Sequence, residues 1–87
     1  KVDEDVRAAR DRLRKALEAE DIDSIGSASH ILISVAGAVG AARVAQGAQR
    51  INLAVNRRDL AAIRQAAPAM LEDIERMLEF VGHRLNA

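Results

Sequence analysis

Apolar residues recur along this chain in steps of three and four, the spacing that lines up one face of an α-helix. Val2, Val6, Ala9, Leu13 and Leu17 predict a first helix from Val2 to about Glu20. Its other positions carry Asp3, Arg7, Arg10, Asp11, Arg14, Lys15 and Glu18, the composition of a solvated face, with Asp3–Arg7 and Asp11–Lys15 in the favourable i,i+4 order. Asp21 can cap the next helix, and Asp23 falls in its first turn, where the macrodipole favours a carboxylate. That second helix runs from Ile22 to about Val39 on a stripe of Ile22, Ile25, Ser29, Leu32, Ala36 and Val39, and stops at Gly40. A third spans about Ala41 to Val55, on Val44, Ala48, Ile51 and Val55. Asn56-Arg57-Arg58-Asp59 makes a turn, with Asp59 as the next cap. The fourth helix starts at Leu60 and carries the longest stripe: Leu60, Ile63, Ala67, Met70, Ile74, Met77, Val81 and Leu85. Pro68 lies inside it. The phase is unbroken across the proline, which predicts a kink rather than a stop.

Four amphipathic helices with short connections predict an all-α, antiparallel up-down-up-down bundle, its last helix long and kinked near Pro68. At 87 residues the chain forms one domain over 1–87. There is no linker, repeat or low-complexity tract. The stretch Ser24–Ala42 holds no charged residue and approaches the length of a membrane span. Its four serines, His30 and three glycines make it too polar to cross a bilayer.

The second helix is odd on its outer side. At about 100° per residue, His30 falls almost opposite the core stripe, and Gly26, Gly37, Ser34 and Ser27 surround it. A merely solvated face would carry Glu, Lys and Arg, as the first helix does. Glycine inside an exposed helix costs about 1 kcal/mol relative to alanine. Small residues are expected here for one of two reasons: close packing against another helix, or a partner that must reach His30. The sequence does not choose between them. Neutral imidazole can act as a nucleophile near physiological pH. His83 is read as a surface residue.

Composition narrows the chemistry. There is no Cys, Trp or Tyr, and Phe80 is the single aromatic. This excludes disulfide scaffolds, thiol chemistry and Cys-based zinc sites, and it speaks against base-stacking nucleic-acid folds. Two histidines without cysteine make no metal site. Thirteen basic and thirteen acidic residues balance, so no net field draws the chain to nucleic acid or an anionic membrane. Nothing resembles a signal peptide, and a cytoplasmic monomer is expected.

The run ASHILISVAGAVGA, from Ala28 to Ala41, resembles the signature of the histidine-containing phosphotransfer (HPt) family. In that signature an A-H-x-L-K-G-like core is followed by small residues and a Gly-Ala pair. His30 and Leu32 match, Ser34 replaces the usual glycine, and Gly40-Ala41 match the later pair. The flanks at Asp21-Ile22 and from Asp59 to Pro68 are also similar. The resemblance implies a phosphorelay module that hydrolyses no ATP and carries no cofactor. His30 would accept a phosphoryl group from a histidine kinase or a receiver aspartate. It would pass the group to the receiver domain of a response regulator, whose acidic pocket supplies the Mg²⁺. Gly26, Ser27, Ile33, Ser34 and Gly37 are then the expected docking residues.

The family commonly has Lys three residues after the histidine, where this chain has Ile33. Residues 43–64 hold five Arg against one Asp. Arg43 or Arg50 is therefore expected to lean toward His30 and stabilise phosphate. The alternative is a non-catalytic, degenerate HPt-like interaction domain that binds a partner through the same face.

Overall fold

The computed structural model describes the backbone of residues 2–86 and the side chains of residues 4–38 and 40–80. Four helices follow one another: α1 (Val2–Ala19), α2 (Ile22–Val39), α3 (Ala42–Asn56) and α4 (Leu60–Asn86). Each packs against the next, and α1 closes the ring on α4. This is an antiparallel four-helix bundle, with principal extents of 41 × 21 × 18 Å.

The predicted stripes form its core. Val6, Ala9 and Leu13 of α1, Ile25, Leu32 and Ala36 of α2, Val44, Ala48 and Ile51 of α3, and Ile63, Met70 and Ile74 of α4 are buried in one cluster. Burying the valine, leucine, isoleucine and methionine side chains among them contributes roughly 1.5–3 kcal/mol each. Ser29 is buried among them, its hydroxyl donating to the Ile25 carbonyl at 2.9 Å. Val2, Val39, Val81, Leu85 and His83 have side chains outside the described residues.

The ends of the helices follow local chemistry. The Asp21 carboxylate caps α2, accepting from the Ser24 backbone N–H at 3.3 Å and from the Ser24 hydroxyl at 2.6 Å. The Ser24 hydroxyl, and after it the Ser24 amide, hold the Asp21 carboxyl below the usual carboxylate range. Gly40 ends α2 at φ 74°, a left-handed cap whose N–H bonds back to the helix. Asp59 caps α4 through the Ala62 N–H at 3.1 Å. Glu20 and Arg58 close the two other turns at φ 55° and 54°. These two turns meet at one end of the bundle, where Arg58 pairs with Asp23 at 3.2 Å and Glu20 pairs with Arg64.

α4 runs unbroken through Pro68. The proline lacks an N–H for the Arg64 carbonyl, but both residues are exposed, so water can serve that carbonyl. Among the described residues, no helix is long and apolar enough to cross a membrane.

Candidate functional site

His30 stands on α2 and is exposed, flanked by the exposed Ser27 one turn before it and the exposed Ser34 one turn after. The turn of helix beneath it is fixed by the apolar residues on its inner side, Ile25, Ala28, Leu32 and Ala36, all fully buried. The imidazole is therefore carried on a rigid rod and offered outward. The Ser27 hydroxyl donates to the Asp23 carbonyl at 3.2 Å and stays close to the helix surface. Gly37 adds nothing above that surface: a Cβ built on it meets no atom within 4 Å. His30, Ser27, Ser34 and Gly37 thus form a low, open strip that carries no acidic side chain, lysine or arginine.

Gly26 does not belong to this strip. It is buried, and a Cβ built on it would lie 3.0 Å from Val55 Cγ1 of α3. Its expected docking role is corrected: its smallness serves the close approach of α2 and α3. Ile33, also expected to dock, is half-buried and packs against the core cluster. It fills the α2 edge with hydrocarbon at the position where the family pattern has a cation.

The expectation for the arginines is corrected as well. Arg43 and Arg50 line a groove of about 320 Å³ with Gln65, Ala69 and Asp73 of α4. The flank of α3 that meets α2 is marked by Val55. At about 100° per residue, Arg43 and Arg50 lie some 120–140° around the helix from it. Neither leans toward His30. The turn of α3 level with His30 carries Ile51 and Asn52, so that side of the histidine faces uncharged residues.

Cations do line the other side of α2. Arg12 and Lys15 of α1 border a groove of about 470 Å³ together with Asp21, Ser24 and Ser27. Sequence reasoning missed them because it placed α1's charges on one solvated face. The structure splits that face in two. Arg10 and Arg14 turn to α4, where both bind Glu75, at 2.9 and 3.3 Å, while Arg12 and Lys15 turn to α2. The expected Asp11–Lys15 pair does not form, since Asp11 bonds Arg10 instead. A wheel of α1 separates these two flanks, but it does not say which neighbour each will meet.

Among the described residues, no group of three His, Asp or Glu side chains is placed to hold a metal ion. The chemistry available on the open strip is that of a single exposed imidazole. Residues 4–81 match the profile of the Hpt domain. No curated protein and no solved structure matches the chain.

Proposed function

Because this chain belongs to the Hpt domain family, whose members carry phosphoryl groups on histidine in phosphorelays, we propose that His30 is its phospho-acceptor. The observation that carries this reading is the exposed His30 on a strip of small residues, raised on a helix whose opposite side is the core. Phosphoryl transfer requires in-line approach of donor and acceptor, so an acceptor side chain must meet no obstruction.

In the reaction, the unprotonated imidazole nitrogen of His30 attacks the phosphorus of a receiver's aspartyl phosphate. A P–N bond forms, the P–O bond to the aspartate breaks, and the carboxylate leaves with the electron pair. The second ring nitrogen keeps its proton throughout. Transfer onward is the same step reversed onto another receiver's aspartate. In this reading the acidic pocket and its Mg²⁺ belong to the receiver, the upstream donor is a histidine kinase or its receiver, and this chain is a carrier that hydrolyses no ATP.

His30→Gln is expected to fold with an unchanged melting temperature and to take up no acid-labile phosphoryl label from a phosphorylated receiver. Label retained in His30→Gln and lost in His83→Gln would move the acceptor to His83.

One observation favours the alternative, a non-catalytic interaction module. Ile33 turns into the core cluster and puts no cation one turn from His30. A wild-type chain that binds a receiver and never takes up label decides for it.

A further inference from the structure

α2 presents no charge of its own between Asp23 and the end of the helix. Whatever field surrounds His30 comes from its neighbours. On the α3 side, the residues that share Val55's flank are Ala45, Asn52 and Asn56, all uncharged. On the α1 side stand Arg12 and Lys15. Arg12 and His30 are placed on the two sides of the Glu20–Asp21 turn. At 1.5 Å rise per residue they lie at about the same height above it, within about 2 Å. Lys15 lies one turn lower, near the level of Ser27.

These two cations are also unengaged. Arg10, Arg14, Arg58, Arg64 and Arg76 are each held by a carboxylate. Arg12 and Lys15 are in no ion pair among the described residues. The one acidic group in their groove, Asp21, is occupied with Ser24 as the cap of α2. Farther up α1, away from that turn and about two turns from Arg12, the same flank carries Asp5. Asp11 and Glu18 stand one turn to either side of Lys15 on the outer face of α1, Asp11 engaged with Arg10, so the positive charge that borders the groove is that of Arg12 and Lys15.

We infer that Arg12 and Lys15 form the cationic rim of the docking surface and receive the acidic surface around a receiver's phospho-acceptor aspartate. This rests on the relay reading above. The occupant is identified by charge complementarity. A partner that brings carboxylates and a phosphoryl group to His30 meets positive charge on the α1 side only. The uncharged α3 side leaves the docking one-sided, which fixes the orientation of approach as well as its rate. Complementary charge of this kind raises association rates by about 10- to 1,000-fold, and the effect decays over a Debye length of about 8 Å at physiological salt. Among the described residues Arg43 and Arg50 are equally in no ion pair, but they stand on the α4 side of α3, and they provide the control.

The experiment measures phosphoryl transfer from receiver domains phosphorylated with acetyl phosphate to the full chain, across a salt series. The receiver in a panel that transfers fastest to the wild type is used throughout. R12E/K15E is expected to transfer at least tenfold more slowly at low salt and to lose most of its salt dependence. R12Q/K15Q should fall between it and the wild type. R43E/R50E should stay within about twofold of wild type with its salt slope intact. Melting curves establish that the variants are folded, and the neutral variant decides the matter if the reversed one unfolds. Equal losses in the α1 and α3 variants, or an unchanged salt slope in R12Q/K15Q, overturn the inference. Treating the wild type with phosphoramidate, which needs no docking, tests the parent reading separately. If His30 takes no label from it, and no receiver transfers, the relay reading fails; a labelled His30 with insensitive α1 variants overturns only the rim.

Discussion

Gly26 and Gly37 lie on the same side of α2, three turns apart, and they are small for opposite reasons. At Gly26 the helix is pressed against α3, and Val55 occupies the space a side chain would take. At Gly37 that space is empty. The lower half of α2, capped by Asp21, is a packed edge; the upper half, which ends on Gly40, is open. His30 stands at the boundary. A wheel projection gives each residue an angle but no height, and it is the height at which a neighbouring helix comes close that separates the two halves.

The sharpest way to break the comparison is at Ser34, on the open half one turn beyond His30. Ser34→Arg puts a good helix former at an exposed position, so the melting temperature should hold or rise slightly. Phosphoryl transfer should still fall by about a hundredfold, because a small misplacement of reacting groups is that costly. A bundle that melts early in Ser34→Arg would mean that the upper half is packed as well, and the distinction would be lost.

Next in size is the packed half. Gly26→Leu should cost about 1–3 kcal/mol of stability by denaturant unfolding, the usual penalty for overfilling a close contact. Val55→Ala in the same chain should return part of that loss, which places the clash between those two residues.

Gly37→Ala should do the reverse. With nothing for the methyl to meet, the helix gains about 0.5–1 kcal/mol from the lost backbone freedom of glycine. A neutral or negative result would put an unseen contact over the upper half.

The smallest effect is at the cap. The Asp21 carboxyl is held below its usual range by Ser24, so the folded state binds its proton less readily than the unfolded chain does. Its contribution is present above the unfolded pKa of about 3.9 and fades as pH falls through the folded value. Asp21→Asn keeps a capping oxygen but titrates nothing. Its acid unfolding curve should be shallower than that of the wild type below about pH 4.

Much of this is legible in the sequence. The stripes of α1 to α4 follow directly from apolar spacing, and their described members are buried or half-buried. Asp21, Gly40 and Asp59 act as the caps their chemistry suggests. His30 was legible because it stands opposite the stripe without the charges that an idle surface would carry. Three things were not. Gly26 and Gly37 look alike until α3 is placed at its true height. Arg43 and Arg50 repeat every seven residues and so share a flank, but whether that flank meets α2 or α4 depends on the direction in which the bundle winds. Arg12 and Lys15 were hidden by the same ambiguity on α1. Local spacing determines which residues travel together; only the closed ring of helices determines what they face.

The outward placement of His30 has a consequence for what this molecule can remember. The helix lies between the imidazole and the core, and its buried neighbours Ser29 and Leu32 belong to the inner side. A group added at His30 would enter water rather than the interior, and no packed contact would have to yield. The carrier would hold its message as a chemical tag without changing shape. Loaded and unloaded molecules would melt alike and display the same backbone, and a partner that tells them apart must do so by touching the tag itself.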